Sequence, residues 1–202
     1  MISQENYDIL KEKYGDASSW AVWNTDYVDS KPSRNINDLS VFDSPNLSEL
    51  NTGFVFVGLN RSGKPKDGNV EKKPDKPKDP WFNFHAGRND FKLRYALQGT
   101  RYWGSYITDA IKDYQETDSG EVEKTLKSNP ERVDENLKGL REELELLGGK
   151  PVLVALGYAA EKNLKCMKSE GYEVVRILHP AAFIGKKKYR DKVLKVLDNI
   201  QK

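Results

Sequence analysis

The stretch that decides the fold is Gly53-Phe54-Val55-Phe56-Val57-Gly58-Leu59-Asn60-Arg61-Ser62. Its continuous apolar run is typical of a strand buried on both faces of a parallel sheet, with a helix layer on each side. A second apolar run, Val174 to Leu178, ends in His179-Pro180-Ala181. Parallel strands open at the same edge of a sheet, which is where open α/β sheets bind ligands. An amide and an imidazole at that edge suit a reaction that positions a water and stabilises a departing anion.

The rest of the chain alternates strand and helix patterns. Asn129 and Pro130 open an amphipathic helix whose leucine stripe ends before Gly148. The other predicted elements are strands at 106–111, 152–156 and 173–178, a short helix that Asp90 caps and that runs to Leu97, and helices at 159–168 and 189–200. This alternation predicts an α/β fold, a three-layer α/β/α domain around a central, mainly parallel four-stranded sheet. Residues 1–52 are expected to form an N-terminal wrap on a core of 53–202, all within a single domain 1–202.

Composition limits the classes of partner and cofactor. The chain of 202 residues has 33 basic and 31 acidic residues, and this net charge of +2 neither proves nor excludes a polyanionic partner. The lone Cys166 and two distant histidines are a poor basis for a metal site, so no metal or other cofactor is expected. Because the chain has neither a membrane-length apolar stretch nor a signal-peptide pattern, we expect no membrane partner and a cytoplasmic protein. We also expect a monomer.

The two strand-end motifs, Gly58-Leu59-Asn60-Arg61 and His179-Pro180-Ala181, resemble those of the uracil-DNA glycosylase superfamily. The likeness is strongest to its mismatch-specific and single-strand-selective branches, whose motifs read Gly-hydrophobic-Asn-Pro and His-Pro-Ser or Asn-Pro-Ser. Residues 82–91 look like the segment that carries that family's base-stacking aromatic. The resemblance implies a uracil-DNA glycosylase-like fold and DNA, single- or double-stranded, as the partner. It also implies removal of uracil or a related damaged base by hydrolysis of the N-glycosidic bond, without a cofactor.

The resemblance further implies roles for individual residues. Asn60 would orient the attacking water, and His179 would donate a hydrogen bond to the base as negative charge develops there. Because an amide is not basic, Asn60→Asp is expected to keep or raise activity. Phe84 or its neighbour Phe82 would stack on the extruded base. Asn89, or Asn83 in its place, would contact the edge of the base. The remaining predicted contacts are Gly58 and Leu59 to the base, and Arg61, Ser62, Phe183, Ile184, Lys186, Lys187 and Lys188 to the DNA.

Other interpretations stay open. The family has proline where this chain has Arg61 and serine where it has Ala181, and these departures favour a protein of the same fold that binds nucleic acid or a nucleobase without turnover. A nucleotide-binding protein of the flavodoxin or Rossmann kind is disfavoured because no glycine-rich phosphate loop follows a strand. Taken singly, Asn60 also suits a turn, and His179 and His85 suit structural hydrogen bonds.

Overall fold

The computed structural model describes residues 1–24, 38–61, 79–85 and 89–200. Within these ranges a five-stranded sheet has the order β1-β3-β2-β4-β5. The strands are β1 (Ser18–Trp20), β2 (Asn51–Asn60), β3 (Ser105–Ile111), β4 (Val152–Leu156) and β5 (Val174–Ile177). β2 to β5 run parallel, and β1 pairs antiparallel with β3. The predicted α/β class with a mainly parallel central sheet is therefore confirmed.

Seven α-helices accompany these strands in the described ranges. They are α1 (Gln4–Tyr14), α2 (Asp90–Leu97), α3 (Ser119–Ser128), α4 (Pro130–Leu147), α5 (Tyr158–Asn163), α6 (Lys165–Ser169) and α7 (Lys186–Leu197). As predicted, α4 begins at Pro130 and buries its leucine stripe. The single helix predicted at 159–168 is divided between α5 and α6 at Leu164. Among these helices, none combines the length and the apolar character that crossing a membrane requires.

Alternation along β2 distributes its side chains between two cores. Val55 and Val57 pack in one cluster with buried residues of α1 and α4. Phe54 and Phe56 pack in the other cluster with buried residues of α2 and α7. Helices therefore cover both faces of the sheet, as the apolar character of β2 indicates.

The sheet has one strand more than the four that the sequence predicts. Ser18–Trp20, assigned above to the N-terminal wrap, forms the antiparallel edge strand β1 and pairs Ser19 with Ile107. Three residues are too few to show the period-2 pattern by which strands are recognised. Pairing with β3 thus decides the conformation of this segment, and it makes the N-terminal residues part of the sheet.

Candidate active site

His179 follows β5 at the carboxyl edge of the sheet, and its ring has a defined tautomer. The backbone N–H of Ala181 donates a hydrogen bond to Nδ1 at 3.1 Å. Because Nδ1 accepts, the ring proton lies on Nε2, which can donate to a ligand. The residue lies at an exposed rim, yet desolvation by the surrounding protein lowers the pKa of His179. The imidazole is therefore mainly neutral near pH 7.

Gly157, the first residue after β4, fits closely against His179. Its φ of +92° lies in the left-handed region, and its N–H donates to the carbonyl oxygen of Ile177 at 3.0 Å. A Cβ at position 157 would lie 3.2 Å from Cβ and 3.7 Å from Cδ2 of His179. Glycine is thus favoured here both by the backbone conformation and by the space that the histidine occupies.

Asn60 ends β2, and the segment after β3 holds its amide group. Nδ2 donates to the carbonyl oxygens of Arg61 at 3.1 Å, Glu116 at 2.9 Å and Tyr114 at 3.4 Å. Oδ1, which no donor reaches among the described residues, is the atom that can accept a hydrogen bond from a water. β4 lies between β2 and β5, so at a strand spacing of nearly 5 Å the ends of β2 and β5 are about 10 Å apart.

The carboxyl group of Asp109 and the ring of Phe84 both lie close to Gly58. Asp109 in β3 is in register with Gly58 in β2. A Cβ at position 58 would lie 2.2 Å from Oδ1 of Asp109 and 3.5 Å from Cζ of Phe84. The absence of a side chain at Gly58 therefore gives a carboxyl group and an aromatic ring room to approach one another at the site edge.

Asp109 is the site residue that the sequence analysis misses. It is 2 % exposed, and burial raises its pKa to about 7, although the hydrogen bond from Asn83 and the charge of Lys112 lower it. Nδ2 of Asn83 donates to Oδ2 of Asp109 at 2.9 Å. A buried carboxyl group that titrates near neutral pH is typical of functional sites. The signal in the sequence is an aspartate inside the predicted strand 106–111, and the structure shows that every residue of this strand is buried.

Residues 15–20 hold residues 79–85 beside Asp109, near the carboxyl edge of the sheet, through four hydrogen bonds. Its contacts are Trp81 N–H to Gly15 O (2.7 Å), Ser19 Oγ to Trp81 O (2.9 Å), Asn83 Nδ2 to Ala17 O (2.7 Å) and the His85 ring to Trp20 O (3.3 Å). Trp81 and Phe84 have φ values of +68° and +66°, a conformation that is unfavourable for residues with a Cβ by about 1–2 kcal/mol. Non-glycine residues held in this region are a recurrent feature of ligand sites. His85 is fully buried between Trp23 and Phe42, which suits a structural role.

The other predicted base contacts are placed less directly. Phe82 and Asn89 are half-buried, and Asn89 precedes α2 without a side-chain capping bond. Leu59 packs into the cluster with α1 and α4, whereas Phe84 packs against the other one. The side chain of Leu59 therefore lies in the core rather than at the site. Ser62, the other residues of 62–78 and residues 86–88 lie outside the described residues.

The residues predicted to contact DNA after β5 differ in their exposure. Phe183 is fully exposed, whereas Ile184 is half-buried against the core. Nζ of Lys186 lies 4.6 Å from the ring centroid of Tyr95. Lys187 and Lys188 are exposed. Phe183 and these two lysines are thus the members of this group best placed to meet a large ligand.

The site edge combines an imidazole donor, an amide oxygen, a titratable carboxyl group and an aromatic ring. Such a set can orient a water, stack on a planar ring and stabilise a developing anion.

Among the described residues, no three His, Cys, Asp or Glu side chains form a group that could hold a metal ion. No model of a known protein family matches the chain, and no curated protein matches it in sequence.

Proposed function

We propose that this protein is a DNA glycosylase that removes uracil or a related damaged base by hydrolysing the N-glycosidic bond. The observation that carries the proposal is the neutral imidazole of His179, whose Nδ1 accepts from the Ala181 N–H. Its Nε2–H can donate to a base carbonyl as negative charge develops on the leaving base. One such donor is worth roughly 3–4 kcal/mol of the barrier in other enzymes.

Phe84 and Asp109 form the base site in this proposal. A base stacked on the Phe84 ring would direct an edge toward the carboxyl group of Asp109, since both groups lie above Gly58. With a pKa of about 7, Asp109 is partly protonated at neutral pH. A protonated carboxyl group donates one hydrogen bond and accepts another, which matches a base edge that carries a neighbouring C=O and N–H.

Asn60 serves to position the water. Its Nδ2 is held by three backbone carbonyl groups, so Oδ1 is presented in a fixed direction and accepts a hydrogen bond from the nucleophile. An amide cannot take the proton, so Asn60 positions the water without deprotonating it, and we expect a slow enzyme.

DNA is held by residues around the site. Phe183 contacts the DNA beside the extruded base, and Lys187 and Lys188 contact phosphates. The protein acts without a cofactor, as a cytoplasmic monomer. A mainly parallel sheet with helices on both faces is compatible with the uracil-DNA glycosylase-like fold, which we include in the proposal.

The test is incubation of excess protein with single- and double-stranded oligonucleotides that contain uracil, followed by alkaline cleavage of abasic sites. We expect product with the wild type and a single-turnover rate lowered by about 10²–10³ in His179→Ala. His179→Gln, which keeps an N–H donor, is expected to retain more activity than His179→Ala. Absence of product from uracil, hypoxanthine and xanthine substrates would contradict catalysis.

A second candidate is a protein of the same fold that binds a damaged base without turnover. The observation that favours it is the environment of Asn60, whose amide is held by carbonyl oxygens and supplies no base for the water. In that case the wild type binds the uracil strand and forms no abasic product. Substitutions at His179 and Asn60 then change affinity alone.

A further inference from the structure

Exposed hydrophobic side chains are concentrated around His179. Among the described residues the large exposed ones are Met1, Ile9, Tyr158, Leu178 and Phe183. The last three follow β4 and β5 at the carboxyl edge. We call the two aromatic ones, Tyr158 and Phe183, the aromatic rim. Tyr158 is 62 % exposed and Phe183 is fully exposed. Rings left in water add nothing to the core, and a group of them marks a binding surface.

Tyr158 is held in place beside the histidine. It follows Gly157, which lies against His179. The guanidinium of Arg176 lies 5.7 Å from the centroid of the tyrosine ring, and Nη1 of Arg176 is 3.3 Å from Oε2 of Glu161. The arginine therefore lies against Tyr158, which is still 62 % exposed and open to a ligand.

Phe183 is presented by a backbone that is anchored on both sides. Nζ of Lys92 donates to the carbonyl oxygen of Ala182 at 2.8 Å, and the side chain of Ile184 packs against the core. The exposed ring thus projects from an ordered turn. Exposed Lys187 and Lys188 follow within five residues, so positive charge adjoins the ring.

We propose that the aromatic rim binds unpaired nucleotides, with Tyr158 and Phe183 stacking on bases that flank the one at His179, so that single-stranded DNA is the preferred ligand. The placement of one base at His179, between the two stacked bases, rests on the proposed function. In a duplex the faces of neighbouring bases cover one another, whereas an unpaired strand exposes them to aromatic side chains. The two lysines complement the phosphates of the same strand.

The experiment measures affinity by fluorescence anisotropy for one undamaged sequence of about 20 nucleotides, long enough for one such site, as a single strand and as a duplex. Tyr158→Ser and Phe183→Ser are each expected to weaken single-strand binding roughly 5- to 150-fold, the usual value of one stacked base. Tyr158→Phe and Phe183→Trp keep a ring and are expected to keep the affinity. Ile9→Ser, which removes an exposed apolar side chain from α1, is the control and should bind like the wild type.

Salt dependence separates stacking from charge. Loss of a ring should lower affinity by the same factor at every salt concentration, whereas Lys187→Ala with Lys188→Ala should reduce the slope of log affinity against log salt. Equal affinity of the wild type for single strand and duplex, or full single-strand binding by both serine variants, would overturn the proposal. If the wild type binds neither the single strand nor the duplex, the proposal is also overturned, and a protein becomes the expected partner of the aromatic rim.

Undamaged DNA keeps this result independent of base excision. Ring-dependent binding to the single strand by a protein that forms no abasic product supports the aromatic rim and rejects the glycosylase. Abasic product from a protein whose serine variants bind the single strand normally rejects the aromatic rim and supports the glycosylase.

Discussion

The backbone N–H of Ala181 and Nδ1 of His179 are joined by a hydrogen bond of 3.1 Å. This bond places the imidazole proton on Nε2 and keeps the ring as a neutral donor. Because the donor to Nδ1 is a backbone group, alanine at position 181 makes the bond as well as serine would. The departure of this chain from the His-Pro-Ser pattern therefore leaves the orientation of His179 intact.

The pH dependence of base excision should follow the lowered pKa of His179. Protonation would put an N–H on Nδ1, facing the Ala181 N–H, so the neutral ring is the active form. We expect the single-turnover rate to stay level as pH falls through about 6.5, the usual histidine value, and to decline below it. The profile is best measured in the Asp109→Asn variant, because this substitution removes the titration of the Asp109 carboxyl group from the same pH range. A rate that increases with acid through this range would assign activity to the imidazolium.

Gly157→Ala should disturb His179 specifically. The new Cβ would lie 3.2 Å from Cβ of His179, and φ is +92°. Gly149 is the matched control, since its φ is +91° and nothing lies within 4 Å of its Cβ position. Both alanine variants should lose about 1–2 kcal/mol of unfolding free energy in urea titrations. Only Gly157→Ala is expected to lower the excision rate, and equal rates would show that the close contact is irrelevant.

Asn60→Asp should lower both stability and activity, which reverses the expectation from the sequence. A carboxylate would replace a donor that bonds to the carbonyl oxygens of Arg61, Tyr114 and Glu116. Leaving such acceptors unpaired typically destabilises by about 1–3 kcal/mol. Chemical denaturation and single-turnover rates measure the two effects. Activity equal to or above that of the wild type would show that the hydrogen bonds from Nδ2 to these carbonyl groups are not needed for catalysis.

Asp109→Asn should change how stability depends on pH. The pKa of Asp109 is raised to about 7, so between pH 4 and 7 the unfolded chain loses a proton that the folded protein keeps. Wild-type stability should therefore fall relative to Asp109→Asn as pH rises, by about 4 kcal/mol at most. Denaturant titrations of both proteins at several pH values measure the difference. A difference that does not vary with pH would show that Asp109 is ionised in the folded protein.

The contribution of the lysines to DNA binding should come from Lys187 and Lys188. The ammonium group of Lys186 lies over the ring of Tyr95 in α2, so it is less available to a phosphate. Alanine at 187 and 188 together should reduce the salt slope for a single strand by up to about 1.4. Lys165 and Lys168, exposed on α6, provide a control with the same loss of charge. A slope unchanged by either pair would place the phosphate contacts elsewhere.

Much of the fold follows from local patterns. The apolar runs predict β2 and β4, and the capping residues with the leucine stripe predict α4. The sequence does not predict β1, because three residues form a strand only when β3 supplies the hydrogen bonds. Nor does it predict α3, where Asp118 accepts from the N–H groups of Gly120 and Glu121 but few apolar residues mark a stripe.

The sequence by itself determined that Asn60 and His179 lie at one edge of the sheet, because each follows an apolar strand and parallel strands end together. Only the tertiary structure decided which atoms of the site residues can reach a ligand and in which protonation state. The amide of Asn60 is turned by carbonyl groups 54 and 56 residues away, and burial among distant residues moves the pKa of Asp109. Periodicity reports burial and direction along one element, whereas hydrogen-bond partners and desolvation depend on which elements the fold brings together.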